Sequence, residues 1–278
     1  MLDLLHANKT RFLPLCTYGR SGGSFLMSLL RACGVAVRGD LPYEDRSLQV
    51  AFIGGLARDL GLPRHANLAA ASHGGMNYKA DLFTGAEDED ECRRRLGAYC
   101  ASLGNDAGIA EKTIGTKLLR AMRANDPANL VNPIYLARDP RDIFLSVKAF
   151  NARRQTTGFG DKGDDARLFG SICSHNLAIL QMHRRDGGLL ICYEDLMAQR
   201  PQSLVQLFQH LGRKRITATQ IDTVLRLAQA SEATVAAHRT SPTPGDGVGR
   251  WRTEEGDPYR AIFDERAANL NATGYPAG

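Results

Sequence analysis

Tyr18-Gly19-Arg20-Ser21-Gly22-Gly23-Ser24 brings three glycines, two serines and a guanidinium together within one short stretch. Phe12 to Thr17 before it is short and apolar, the pattern of a buried strand. Phe25 to Cys33 after it is apolar at most positions, the pattern of a helix buried against a sheet, and Gly34 is a natural stop. A turn between a strand and a helix N-terminus presents unpaired backbone N–H groups in one direction, backed by the positive end of the helix dipole. Glycine lets the backbone approach a bound anion, Ser21 and Ser24 add donors, and Arg20 adds a permanent charge with a fork of N–H groups suited to oxyanions. The expected chemistry is binding of phosphate or sulfate. A tight turn with no ligand uses the same glycines.

Two other readings compete for this turn. Gly19-Arg20-Ser21-Gly22-Gly23 satisfies G-x-S-x-G, the nucleophile elbow of serine hydrolases, with His238 and several aspartates downstream. That fold needs an upstream strand and loop to donate an oxyanion N–H, and only 20 residues precede Ser21. The nucleoside-triphosphate loop G-x-x-x-x-G-K-[ST] requires a lysine after its glycines, which this turn lacks. Binding of ATP with a metal is therefore disfavoured.

A second constellation lies at Tyr135-Leu136-Ala137-Arg138-Asp139-Pro140-Arg141-Asp142. Val131 to Ala137 reads as a strand. Asp139 at the N-cap and Pro140 at the first helical position then start a helix. Arg138 ends the strand and Ser146 falls on the second helical turn, so both can face the crevice outside the strand ends, where open α/β sheets bind ligands. Pairing of Arg138 with Asp139 or Asp142 is the purely local alternative.

The order of these segments resembles the sulfotransferases. Arg20-Ser21-Gly22-Gly23-Ser24 and its apolar helix look like their 5′-phosphosulfate loop. The Tyr135–Asp142 segment with Ser146 is similar to their 3′-phosphate element. Cys192-Tyr193-Glu194-Asp195-Leu196 resembles their Tyr-Glu-Asp-Leu segment, and Gly249-Arg250-Trp251-Arg252 lies where they carry a Gly-x-Trp region. The resemblance implies a P-loop-like sulfotransferase fold and transfer of a sulfuryl group from 3′-phosphoadenosine 5′-phosphosulfate, without a metal, to a hydroxyl or amine of a small-molecule or glycan acceptor.

It also implies roles. Backbone N–H groups from Gly22, Gly23, Ser24 and Phe25 would hold the 5′-phosphate, and Arg138 and Ser146 the 3′-phosphate. Arg20, with Lys112 on the Ala-Glu-Lys-Thr strand, would neutralise charge on the transferring group. Tyr193 and Trp251 are candidates for adenine packing, and Arg250 for a further cofactor contact. Glu44 is the first candidate for the base that takes the acceptor proton, ahead of Asp40, with Glu111 and His73 in reserve. Gly23-Ser24 stands where the family more often has two threonines or Ser-Thr, and no Arg-Lys-Gly precedes Trp251. A non-catalytic nucleotide-binding module is the alternative that keeps the fold.

The remaining segments supply the frame. Helical patterns run from Asp45 to Leu62 and from Thr84 to Leu103, where an acidic start and basic sequel suit the helix dipole. Gly108 to Thr113 and Gly187 to Tyr193 read as strands, and a helix runs from Glu194 to near Leu211-Gly212. Residues Asn151 to Gly163 and Arg239 to Gly249 lack periodicity and are expected to be loops or lids. Alternating strands and helices predict one α/β domain over residues 1–278, with a mostly parallel central sheet flanked by helices on both faces.

Composition agrees with that class. The 278 residues are 43% hydrophobic and 23% charged, which excludes a disordered or collagen-like chain. A net charge of +5 is too small to argue for nucleic acid. No apolar run approaches the roughly 20 residues that span a bilayer. The opening segment lacks signal-peptide order, and the six cysteines form no C-x-x-C pair. Reduced thiols, no metal site and a cytoplasmic location are expected.

Overall fold

The computed structural model describes residues 12–38, 109–112, 131–212, 216–230 and 247–276. The chain groups into two compact units: Met1–Cys16, Met27–Pro133 and Asp222–Thr234 in one, Thr17–Leu26, Ile134–Ile221 and Val235–Gly278 in the other.

β1 (Phe12–Thr17) continues through the glycine-rich turn into α1 (Gly23–Ala32), as its sequence predicts; the first unit takes β1 up to Cys16 and α1 from Met27, and the turn between them belongs to the second. Gly34, at φ +86°, ends the helix in the left-handed region and leads into β2 (Ala36–Arg38). β3 (Ile109–Lys112) lies between β2 and β1 and is parallel to both, with Lys112 opposite Leu15. Leu13, Leu15, Met27, Leu29 and Leu30 are buried. Their near-continuous apolar runs suit a parallel sheet covered by helix. α6 (Ala218–Ala230) adds the buried Val224 and Ala228.

The second unit holds β4 (Ile134–Ala137), all four residues buried, parallel to β5 (Leu189–Cys192). α2 (Pro140–Arg154) starts as predicted: Asp139 caps it, its side chain accepting from the Arg141 N–H at 2.9 Å, and Pro140 occupies the first turn. The helix runs four residues into the expected loop, because Ala152, Arg153 and Arg154 are sound helix formers. It stops at Gln155, which adopts φ +50°.

α3 (Asp165–Asp186) has no counterpart among the sequence expectations. Its signals are nonetheless present in Asp164 as N-cap, the helical spacing of Leu168, Phe169, Ile172, Ile179 and Met182, and Gly187 as C-cap. The single helix expected after Glu194 is two: α4 (Tyr193–Met197) and α5 (Pro201–His210). Gln199 at φ +51° and Pro201 make the break. α7 (Arg260–Glu265) and α8 (Ala267–Ala272) complete the unit.

The core of this unit is aromatic. Phe144 meets Phe169, Tyr259 and Phe263 edge-on at centroid distances of 5.8, 4.9 and 5.9 Å. Such pairs add about 0.5–1.5 kcal/mol each beyond area burial. Ile143, Val147, Ile172 and Leu270 close around them, fixing α2 and α3 so that Arg138 and Ser146 keep their places. Cys16, Cys33, Cys173 and Cys192 are free thiols. Among the described residues no helix is long and apolar enough to cross a membrane.

Candidate functional site

Thr17 to Leu26, the starts of β4-α2 and β5-α4, and the Gly247–Arg252 segment all belong to the second unit, and they converge. Arg20 sits at φ +72°, a conformation uncommon for a residue with a side chain, and Gly22 at φ +89°. The turn is closed by the Ser21 N–H donating to Tyr18 O at 3.3 Å. The Phe25 and Leu26 N–H groups donate to Gly22 O at 3.1 and 3.2 Å.

Arg138 binds this turn directly. Its Nη1 donates to the carbonyl oxygen of Arg20 at 2.6 Å, and its Nη2 donates to the carbonyl oxygen of Gly247. Its guanidinium lies 4.5 Å from the Tyr193 ring centroid, and that ring in turn covers Gly22. A Cβ on Gly22 would fall 2.1 Å from Tyr193 Cδ2, so only glycine fits there. The Arg20 Nε donates to Ser146 Oγ at 3.3 Å, and the Arg20 guanidinium lies 4.9 Å from the Phe150 ring centroid. Arg20, Ser146, Arg138, Gly22 and Tyr193 are therefore brought together.

The site is electrostatically frustrated. Burial lowers the Arg20 pKa, and the charges of Arg138 and Arg250 lower it further, to about 10. The group still carries its charge at neutral pH, so like charges are held together at a cost that a bound anion would offset. Two buried polar atoms there, Ser21 Oγ and Arg138 Nε, have no protein hydrogen-bond partner. Orphaned buried donors beside converging arginines suit a phosphorylated or sulfated ligand. Ser21 is fully buried, the opposite of the exposed hydroxyl that a nucleophile elbow displays.

The local pairing of Arg138 with its neighbours does not form. Asp139 instead receives the Arg141 Nε and Nη2 at 3.0 and 2.8 Å. Asp142 accepts backbone N–H groups from Gly249 and Trp251. Arg250 is buried and forked onto Glu255, Nε at 2.8 Å and Nη2 at 2.7 Å. Trp251 lies in the aromatic core with the Arg141 guanidinium 3.4 Å from its ring centroid and that of Arg252 at 4.6 Å. Its faces are thus occupied by protein cations. Lys112 ends β3 in the first unit. Glu44, Asp40 and His73 lie outside the described residues, as does His238, while Glu111 is on β3.

Sequence reasoning missed the supports. Glu194 Oε1 accepts the Asp139 N–H at 2.8 Å, and its Oε2 accepts from the Tyr275 hydroxyl at 3.0 Å. Burial raises the Glu194 pKa, against the pull of these hydrogen bonds. Asn176 Nδ2 donates to Arg138 O at 2.6 Å. On the other side of the turn, the Tyr18 hydroxyl donates to Phe159 O at 2.7 Å, and the Phe159 ring fills the space where a Cβ on Gly19 would stand. Tyr18 and Glu194 lie within segments that the sequence singles out, but what they bond to, Phe159, Asp139 and Tyr275, is distant in the chain, as Asn176 is from Arg138, so no local pattern pairs them.

The fold is similar to that of solved structures. Mouse sulfotransferase SULT7A1 complexed with PAP aligns with a TM-score of 0.52 at 13% identity, covering 98% of this chain and 90% of that one. The sulfotransferase domain from the curacin biosynthetic pathway gives 0.50 at 15% identity, covering 93% and 99%. Retinol dehydratase in complex with androsterone and inactive cofactor PAP gives 0.50 at 16%, covering 96% and 81%. At these identities the likeness is one of fold. No sequence match is found among curated proteins. The model of the sulfotransferase domain matches residues 110–254, more than half of the chain, and takes in Arg138, Ser146, Tyr193, Arg250 and Trp251. By that match, the chain belongs to the sulfotransferase domain family.

Proposed function

We propose that the protein transfers a sulfuryl group from 3′-phosphoadenosine 5′-phosphosulfate to a hydroxyl or amine of a small-molecule or glycan acceptor. The observation that carries the donor is the convergence of Arg20, Arg138 and Arg250 around the glycine turn. Burial, and then the charges of Arg138 and Arg250, lower the Arg20 pKa, and two buried polar atoms lack protein partners. A small, multiply anionic nucleotide meets both demands at once.

In this reading the Gly22, Gly23 and Ser24 N–H groups and the Ser21 hydroxyl hold the 5′-phosphate, the Phe25 N–H being turned instead to Gly22 O at 3.1 Å, and Arg138 and Ser146 hold the 3′-phosphate. Arg20 and Lys112 stabilise charge that builds on the transferring group and on the bridging oxygen. Tyr193 packs over the turn beside the nucleotide, with Arg250 completing its electrostatic cradle. Trp251 supports that cradle from the core, its faces being taken by Arg141 and Arg252. Displacement is in line: the acceptor oxygen or nitrogen bonds to sulfur as the bond from sulfur to the bridging oxygen breaks. A general base takes the acceptor proton: the carboxylate of Glu44 by the family resemblance, with those of Asp40 and Glu111 and the imidazole of His73 as the other candidates. General-base help of this kind is typically worth about 10²–10⁴-fold. Retinol dehydratase, solved with androsterone, shares the fold, which favours the small-molecule alternative.

The test is thermal melting with adenosine 3′,5′-bisphosphate in a metal-free buffer. A rise in Tm that grows with ligand concentration supports the reading. No rise, with stabilisation by ATP and magnesium instead, would end it. Glu44→Ala is expected to keep the rise and lose turnover. Binding without turnover of any acceptor would leave the non-catalytic nucleotide-binding module.

A further inference from the structure

Asp142 stands out among the groups that the proposed chemistry does not use. It is fully buried in the first turn of α2, and among the described residues it forms no ion pair. An unpaired buried carboxylate is costly unless hydrogen bonds compensate it. Both of its oxygens are engaged, Oδ2 by the Gly249 N–H at 2.7 Å and Oδ1 by the Trp251 N–H at 3.3 Å, across more than a hundred residues of chain. Gly249 adopts φ +75°, a left-handed turn that favours glycine and puts the two N–H groups on either side of Arg250 onto one carboxylate.

The same helix start grips this segment at both neighbouring points. Arg138 Nη2 donates to Gly247 O, and the Arg141 guanidinium is 3.4 Å from the Trp251 ring centroid. Between these anchors the Arg250 side chain is buried and held in place by Glu255, which accepts from its Nε at 2.8 Å and its Nη2 at 2.7 Å, and from there its charge acts on Arg20. An apolar residue at position 142 would fill the core as well, but it could not fix the backbone on both sides of Arg250.

We infer that Asp142 is a positioning residue: its carboxylate sets the backbone of Gly249–Trp251 and so delivers Arg250 to the anion site made by Arg20 and Arg138. The inference rests on the nucleotide reading above for its effect on affinity, and on geometry alone for its effect on the segment. Asparagine at this position keeps the size but turns an N–H donor toward one of the two backbone N–H groups.

Trp251 is the only tryptophan of the chain, so its emission reports the segment directly. The experiment compares wild type, Asp142→Asn, Arg250→Ala and the double variant by intrinsic fluorescence and by calorimetric titration with adenosine 3′,5′-bisphosphate. Asp142→Asn is expected to shift Trp251 emission to the red and to weaken binding about tenfold. In the Arg250→Ala background it is expected to weaken binding by less than about twofold, because the two act through one contact. Unchanged emission overturns the inference, as does full multiplication of the two effects. If circular dichroism shows that Asp142→Asn does not fold, Asp142→Glu takes its place, with the same expectations. Wild-type protein that binds no bisphosphate would refute the nucleotide reading instead, and the emission of the position-142 variant would still decide whether Asp142 sets the segment.

Discussion

The Arg138 guanidinium donates to the main-chain oxygen of Arg20 at 2.6 Å, joining the start of α2 to the glycine-rich turn. One cation thereby shapes the loop and faces the site that the loop encloses. Replacing Arg138 by alanine should remove both effects. By titration calorimetry, Arg138→Ala should weaken adenosine 3′,5′-bisphosphate by at least about a hundredfold, since charge-assisted hydrogen bonds are worth about 1.5–3 kcal/mol each. Arg138→Lys should recover little, because one ammonium cannot reproduce the two-pronged geometry.

Arg20 holds a left-handed backbone conformation, so binding and stability pull apart at this position. Both Arg20→Ala and Arg20→Gly should lose nucleotide affinity. The glycine variant should be the more stable of the two by about 1 kcal/mol, read from denaturant midpoints, because glycine alone adopts φ +72° without strain. Equal midpoints would show that the turn relaxes.

Gly22→Ala should destabilise the protein by at least about 1 kcal/mol and abolish the nucleotide-induced rise in Tm. Its Cβ would stand 2.1 Å from the Tyr193 ring, at φ +89°. Adding Tyr193→Ala should restore part of the stability by removing the collision, and no more, since the backbone strain stays.

Ser21 should resist covalent serine probes, and no esterase activity should depend on it, because its hydroxyl is fully buried. Labelling of Ser21 detected by mass spectrometry would revive the hydrolase reading.

Acid should release the segment after α2. Burial raises the Asp161 pKa, but the Gly163 N–H, the Asn151 amide and Lys148 outweigh it and leave the carboxyl below its ordinary value. A carboxyl with a depressed folded pKa contributes stability that is fully present above its unfolded pKa, about 3.9, and is lost as pH falls through the folded value. Asp161→Asn should therefore lower Tm at pH 7, and the gap from wild type should close below about pH 4.

Periodicity and turn chemistry made the frame legible in sequence. Phe12–Thr17, the α1 run, Gly34 and Asp139-Pro140 are local signals that act within a few residues, and each stands where its chemistry demands. The order of Arg20, Arg138, Tyr193 and Trp251 sufficed to mark the family. Tertiary structure decided which partner each side chain took. Arg138 lies next to Asp139 in sequence, yet its donors reach Arg20 and Gly247, while Asp139 takes Arg141 and Asp142 takes Gly249 and Trp251. Those choices follow from buried polar groups having to find partners wherever the folded chain brings them. Trp251, a candidate for adenine packing by the family resemblance, lies in the core, with two guanidiniums over its ring and the phenylalanine cluster beside it. The +5 of the whole chain points to no ligand; what supports the nucleotide reading is local, the drawing together of arginines from positions 20, 138 and 250, which are distant in sequence and brought near one another only by folding.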